Sequence, residues 1–139
     1  MRQAVSKFLM GAGFALATAM LFANAGGSWL EHVPEKERAQ PNPFADDHEA
    51  VQAGAKMFQQ HCASCHGKEA EGKGKRPSLR SERVQAATPG EIQWLLKNGS
   101  LAAGMPSWSR LPEQQRWHSV QVAQSDQLRL CERPLVQGG

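Results

Sequence analysis

The chain has 139 residues, of which 40% are hydrophobic and 21% charged, and its 16 Lys and Arg against 13 Asp and Glu give a net charge of +3. This length favours a single domain, and the apolar content is too high for a disordered chain. The charges are interspersed along the sequence, which excludes the clustered basic face of a nucleic-acid-binding protein. Three cysteines are too few for a framework of several disulfide bridges.

Residues 1–25 are organised like a secretory signal peptide. Arg2 and Lys7 precede an uncharged apolar run, and Ala23-Asn24-Ala25 provides the small-x-small pattern that a signal peptidase recognises. We therefore predict cleavage after Ala25 and export to the bacterial periplasm, an oxidising compartment. The alternative is an uncleaved anchor over residues 8–25, and membrane contact is expected in that case alone.

Residues 26–46 are predicted to form an extended lead-in segment, because prolines interrupt them and no apolar periodicity crosses them. The expected packing anchors of this segment are Trp29, Leu30 and Phe44. A first helix should follow over residues 47–61, because Asp46 and Glu49 are spaced as in a capping box and apolar residues recur at helical spacing. This helix leads directly to the first cysteine.

The middle of the chain predicts a loop and then a second helix. Residues 68–77 are rich in glycine and lysine, as loops are. Thr88 is a suitable N-cap, Pro89 suits the first helical position and Glu91 can reach back to the cap, so a helix is expected over residues 89–98. The residues expected on its buried face are Ile92, Leu95 and Leu96.

A third helix is predicted to begin near Pro112, with Trp117 and Val120 facing inward. Strand-like alternation of useful length is missing from the sequence, so residues 47–123 are expected to form an all-α domain of three to four helices. After Trp117, however, Gln121 and Gln124 occupy positions where a core face requires apolar side chains.

The final residues, 124–139, differ from the rest of the chain. We interpret them as a poorly packed tail, with an altered reading frame near the end of the gene as the alternative. Cys131 lies in this tail and is expected to be an unpaired surface thiol rather than a ligand.

The pentapeptide Cys62-Ala63-Ser64-Cys65-His66 is a C-x-x-C-H motif, which is the attachment signal of c-type haem. Two thiols one helical turn apart can reach the two vinyl groups of one porphyrin and form thioethers. The adjacent His66 can then supply an imidazole nitrogen to the iron. We therefore predict one covalent haem c, attached through Cys62 and Cys65, with His66 as a metal ligand.

Two other kinds of site also use closely spaced cysteines. A thioredoxin-type redox pair requires a preceding strand and a βαβ context. A zinc site requires two further ligands, and Cys131 has no companion at metal-ligand spacing. The sequence favours haem over both.

Met105 is the predicted sixth ligand of the iron. Gly104 permits a close approach of the backbone and Pro106 stiffens the loop that presents the thioether. Core packing is the alternative role for Met105 and the expected role for Met57. The histidines considered as ligands are His48, His61 and His118. His61 is too close to the motif to cross the ring, and the other two have no stiffening neighbours.

Over about residues 49–117, these motifs resemble a small class I bacterial cytochrome c. The residues that carry the resemblance are Gly54, Phe58, Cys62-x-x-Cys65-His66, Gly74-Lys75-Arg76-Pro77-Ser78-Leu79, Trp94-Leu95-Leu96 and Gly104-Met105-Pro106-Ser107-Trp108. The resemblance implies a cytochrome c-like fold in which the first and last helices cross at a contact of Gly54 and Phe58 with Trp117. It also implies that the Pro77 carbonyl accepts a hydrogen bond from the proximal imidazole and that Leu79 packs on the haem ring.

The implied function is one-electron transfer between periplasmic donor and acceptor proteins, without enzymatic activity. Trp108 is expected either to cover the haem edge or to form a hydrogen bond with a haem propionate. The cations expected to flank the haem edge and steer an acidic partner are Lys68, Lys73, Lys75, Arg76 and Lys97. The alternatives are a haem-bearing subunit of a periplasmic dehydrogenase or oxidase, and a haem sensor or peroxidase-like protein with a displaceable sixth ligand.

Overall fold

The computed structural model describes residues 28–125. The predicted signal peptide and the tail from residue 126, with Cys131, lie outside the described residues. The described α-helices are α1 (Glu35–Arg38), α2 (His48–His61), α3 (Ala63–His66), α4 (Glu82–Ala86), α5 (Pro89–Asn98) and α6 (Glu113–Ala123). Two short 3-10 helices, Ser28–His32 and Leu101–Ala103, accompany them.

The predicted all-α fold is confirmed. Between residues 28 and 125 the chain forms helices and no strand, and the β pairing there consists of two isolated bridges, Lys73 with Arg76 and Ser100 with Met105. None of the helices in this part of the chain is long and apolar enough to cross a bilayer.

The start of α2 differs by one residue from the predicted cap. Asp47, not Asp46, is the N-cap, and its carboxylate accepts hydrogen bonds from the backbone N–H groups of Glu49 (2.8 Å) and Ala50 (3.1 Å). Asp47 has an extended backbone immediately before the first helical residue, so its side chain reaches the free N–H groups of the first turn. Asp46 lies one residue too far out, and the predicted capping box is therefore wrong.

Helix α5 forms as predicted. The Thr88 hydroxyl accepts a bond from the backbone N–H of Glu91 (3.2 Å), and the Glu91 carboxylate accepts one from the backbone N–H of Thr88 (2.7 Å). Gly99 ends the helix with a φ of 74°, a left-handed value that favours glycine. Ile92 is buried, whereas Leu95 and Leu96 on the same helix are half-buried.

Two apolar clusters form the core, and α6 contributes to both. The Phe58 cluster consists of Ala55, Phe58, Ala70 and Val122. The Trp117 cluster consists of Ala87, Ile92, Trp117 and Val120. The sequence-based prediction that Trp117 and Val120 face inward is therefore confirmed.

Helices α2 and α6 cross at Gly54, as the resemblance implies. A Cβ atom at this position would lie 2.1 Å from the carbonyl oxygen of His118 and 2.7 Å from Cγ2 of Val122. The aromatic partners differ from the expectation, because Phe58 packs with Val122 while Trp117 lies in the other cluster. The absence of a side chain at Gly54 thus lets the two helices approach closely.

The lead-in segment is less extended than predicted, since it contains a 3-10 helix and α1. Its expected anchors are confirmed: Trp29, Leu30 and Phe44 pack against the Trp117 cluster. Arg38 of α1 forms an ion pair with Glu91, whose side chain is 5% exposed. The Thr88 hydroxyl also donates to the backbone carbonyl of Arg38 (2.8 Å). The segment is therefore joined to the start of α5.

Gln121 in α6 and Gln124 directly after it do not interrupt the packing of this segment, contrary to the sequence-based expectation. Gln121 accepts a hydrogen bond from the Asn42 amide (2.9 Å), and Gln124 donates one to the carbonyl of Ala87 (2.6 Å). Val122 between them is fully buried. The two side chains bond to segments whose proximity the helical periodicity could not reveal.

Removal of residues 126–139 is expected to leave the haem spectrum and the melting temperature nearly unchanged. Helix α6 ends at Ala123, and the bond from Gln124 to Ala87 remains in the shortened chain. As a control, Gln124→Ala in the full chain should lower the free energy of unfolding by about 1 kcal/mol, because it removes that hydrogen bond. Thermal melts of the three proteins test this, and a large loss of stability on truncation would show that the tail packs on the domain.

Candidate functional site

The C-x-x-C-H pentapeptide lies at the junction of α2 and α3. The carbonyl of Cys62 accepts hydrogen bonds from the backbone N–H groups of Cys65 (3.1 Å) and His66 (2.9 Å). The motif is therefore wound into a single helical turn, which brings the two thiols to one side of the chain. Cys62 is half-buried, and Cys65 is exposed.

A cavity of about 370 Å³ opens beside this turn. Its lining includes Cys62, Cys65 and His66 together with Met105 and other residues of the loop from Ser100 to Trp108. The rest of the lining consists of Trp29, His61, Ser64, Leu95 and residues 75–77. The volume is within the usual range of ligand pockets, roughly 300–1,000 Å³. The fold thus brings the predicted haem-attachment and iron-binding residues around one space.

The imidazole of His66 is oriented by the loop that follows it. Its Nδ1 lies 2.9 Å from the carbonyl oxygen of Pro77, so the ring donates its Nδ1 proton there. This is the hydrogen bond that the resemblance implies. With Nδ1 protonated, Nε2 carries the lone pair and is the atom available to bind a metal.

The Met105 loop is a tight turn closed by its own backbone. The N–H of Ser100 donates to the carbonyl of Met105 (2.8 Å), and the N–H of Met105 donates to the carbonyl of Ser100 (3.0 Å). Gly104, at φ 72°, takes the left-handed conformation that this turn requires. The turn presents Met105 to the cavity.

Burial raises the pKa of the Cys62 thiol to about 11, and repulsion from Cys65 adds to the increase. Redox-active C-x-x-C pairs require the opposite, a lowered thiol pKa. The motif follows a helix instead of the strand that a thioredoxin-type site requires. In residues 28–125, moreover, no three His, Cys, Asp or Glu side chains are grouped to hold a metal ion, as a zinc site would need. Both alternatives to haem therefore lack support in the described part of the chain.

Several other candidate residues lie away from the cavity. Leu79 packs against the Phe58 cluster, as Cys62 does, and is not among the residues that line the cavity, so its contact with the haem ring stays a prediction. Met57 is half-buried in α2, outside the cavity lining. His48 is exposed, and His118 is buried with its ring edge-on to Phe44 at a centroid distance of 4.8 Å. None of these side chains lines the cavity.

Two tryptophans and a histidine contribute to the cavity wall. His61 lines the cavity and lies 5.3 Å from the Trp108 ring between centroids, with the two rings tilted by 57°. Trp29 was expected as a packing anchor and also lines the cavity. Its position depends on the docking of the lead-in segment, for which no local pattern in the sequence gives a signal.

The five cations expected to flank the haem edge divide into two groups. Lys75 and Arg76 line the cavity. The other cations expected around the haem edge, which are Lys68, Lys73 and Lys97, are exposed and lie outside the lining. Of these five cations, Lys75 and Arg76 are therefore the two at the cavity itself.

The residues around the cavity fit a covalently bound haem. Cys62 and Cys65 can form thioethers from one helical turn, His66 has a free Nε2, and Met105 faces the same space from another loop. Leu95 and the tryptophans add the apolar surface that a porphyrin requires. The cavity thus brings together two thiols that could attach a haem, two side chains that could bind its iron, and an apolar lining.

The sequence matches the family model described as "Cytochrome C oxidase, cbb3-type, subunit III" over residues 49–121, which is more than half of the chain. It is also 33% identical over 82 residues to the quinohemoprotein alcohol dehydrogenase ADH-IIG of Pseudomonas putida. That match covers 57% of this chain and 11% of the dehydrogenase, so the chain spans about a tenth of that relative's length.

The fold is similar to the crystal structure of cytochrome CL from the marine methylotrophic bacterium Methylophaga aminisulfidivorans MPT. The TM-score is 0.53 at 24% sequence identity, and the match covers 74% of this chain and 69% of the other. At this identity the similarity shows a common fold.

Proposed function

Since the chain belongs to the family of small c-type cytochromes and carries a covalent haem c, we propose that it is an exported one-electron carrier between periplasmic redox partners. In this proposal His66 and Met105 would bind the haem iron, and Cys62 and Cys65 would attach the haem. The observation that supports it is the cavity that contains all four side chains.

The haem, when bound, supplies reversible one-electron chemistry at its iron. The protein attaches it, orients the ligands and excludes water. The hydrogen bond from His66 Nδ1 to the Pro77 carbonyl holds the imidazole in one tautomer. It also makes the lone pair of Nε2 a stronger electron-pair donor to a metal. A thioether ligand such as that of Met105 favours Fe(II), as does an apolar pocket. With both ligands kept in both oxidation states, reorganisation is small, which suits electron transfer rather than catalysis.

The export proposal rests on the sequence of residues 1–25. The predicted signal peptide would deliver the chain to the periplasm, where its donor and acceptor proteins would be found. Lys75 and Arg76 at the cavity favour a partner with an acidic surface. In this proposal the protein binds no nucleic acid and converts no substrate.

A second candidate is a haem-bearing subunit bound to a periplasmic dehydrogenase or oxidase. It is supported by the match to a small part of a quinohemoprotein alcohol dehydrogenase, because this chain resembles a piece of a larger enzyme. The two candidates share the electron-transfer chemistry and differ in whether the partner is permanent. Affinity purification of the native protein from its own cells distinguishes them, because a permanent subunit co-purifies with its enzyme through high salt and a mobile carrier does not.

A spectroscopic experiment tests the carrier proposal against a sensor or peroxidase-like role. The purified protein should keep its haem in acidified solvent and show the reduced-minus-oxidised spectrum of c-type haem. Added CO should leave the reduced spectrum unchanged, because Met105 would occupy the sixth position. Rapid CO binding by the wild-type protein at neutral pH would overturn the proposed ligation and favour a displaceable sixth ligand.

A further inference from the structure

Arg76, which also lines the cavity, holds the loop that carries Met105. Nη1 of Arg76 donates hydrogen bonds to the carbonyl oxygens of Ala103 (2.8 Å) and Gly104 (3.0 Å). These are the two residues directly before Met105. Arg76 itself directly precedes Pro77, whose carbonyl orients His66. Two adjacent residues therefore contact both elements that supply the proposed iron ligands.

The backbone of Arg76 is fixed by the turn that contains it. Its N–H donates to the carbonyl of Lys73 (3.0 Å), and its carbonyl accepts from the N–H of Lys73 (3.3 Å). Gly72, at φ 90°, closes the turn, and a Cβ atom there would lie 2.9 Å from the carbonyl oxygen of Arg76. The guanidinium is thus presented from a rigid base.

The Met105 loop leaves space for the Arg76 guanidinium beside Gly104, and the tip of the loop is exposed to solvent. A Cβ atom at Gly104 would lie 2.5 Å from Nη1 of Arg76, so a side chain there would displace the guanidinium. Residues 101–104 are exposed, and the Leu101 residue is 80% exposed. Because apolar burial does not hold the tip of this loop, its hydrogen bonds to Arg76 are a main attachment to the cavity wall.

We infer that Arg76 is a positioning residue that keeps the Met105 loop closed and so keeps the Met105 sulfur on the iron, an inference that rests on the ligation proposed above. Without the two hydrogen bonds the loop would open more often, and an external ligand could take the sixth position during each opening. The stability of the whole domain would change little, because Arg76 belongs to neither apolar cluster.

Imidazole binding to the oxidised, haem-loaded protein tests this role. Arg76→Met keeps the apolar stem and removes the donors, and it should raise the rate of imidazole binding at least about tenfold, because both hydrogen bonds to the loop are lost. Arg76→Lys should restore much of the wild-type rate, because both bonds come from a single nitrogen that an ammonium group can replace. The melting temperature of both variants should stay close to that of the wild type.

Lys75→Met is the matched control, since it removes a neighbouring charge from the same cavity lining. Its imidazole rate should stay near the wild-type value; an increase equal to that of Arg76→Met would assign the effect to charge and overturn the inference. An unchanged rate in Arg76→Met would also overturn it. Met105→Ala tests the ligation separately. The oxidised wild type should show an Fe–S absorption band, and Met105→Ala should abolish it. A wild type without this band, or a variant that keeps it, would show that the proposed ligand is wrong.

Discussion

Met105→Ala is expected to lower the reduction potential of the haem by at least about 60 mV, which is a tenfold shift in a one-electron equilibrium. The soft sulfur stabilises Fe(II) relative to Fe(III), and its removal withdraws that preference. The vacated position should accept water, CO or cyanide, and weak peroxidase activity should follow. Spectroelectrochemical titration measures the potential, and ligand titration measures the open site.

Met57→Ala is the control for this substitution. Met57 lies in α2 and does not line the cavity, so the variant should keep the wild-type potential and the red absorption band of oxidised haem that reports Fe–S coordination. If that band disappears in Met57→Ala and persists in Met105→Ala, a different loop crosses the haem and the assignment of the sixth ligand is wrong.

Gly54→Ala is expected to cost about 3 kcal/mol or more of folding stability, at the upper end of overpacking effects. The new Cβ atom would lie 2.1 Å from the carbonyl oxygen of His118, a backbone atom that no rotamer change can move. Intrinsic helix propensity acts in the opposite direction, since alanine is favoured over glycine by about 1 kcal/mol in a helix. The steric effect is larger and decides the sign.

The measurement is a thermal melt of the haem-loaded variant, whose melting temperature should fall by at least about 10 °C. Gly74→Ala provides a comparison, because no atom lies within 4 Å of the Cβ it would add and its cost is limited to the strain of φ 60°. That strain should amount to roughly 1–3 kcal/mol. A Gly54→Ala protein as stable as the wild type would show that α2 and α6 do not approach as closely as the structure has them.

The features predictable from sequence are those encoded within a few neighbouring residues. Thr88, Pro89 and Glu91 define the start of α5 because a capping box needs one turn of chain. The cysteine motif places its two thiols for the same reason. Asp46 and Asp47, by contrast, are adjacent carboxylates, and the backbone conformation that selects between them is set by the preceding loop.

The features that escaped prediction depend on contacts between distant segments. Gln121 is polar on a face that periodicity assigns to the core, and its partner Asn42 is 79 residues away. Trp29 lines the cavity because the lead-in segment crosses to α5, and its own neighbours in sequence contain no sign of this.

The docking of the lead-in segment determines how far the cavity is covered on the side of Trp29. The bond between Arg38 and Glu91 closes a separation of 53 residues, and that between Asn42 and Gln121 closes one of 79. Both bonds lie on the segment that carries Trp29, which lines the cavity. Loss of these two bonds would release the lead-in segment and expose the side of the cavity that Trp29 covers.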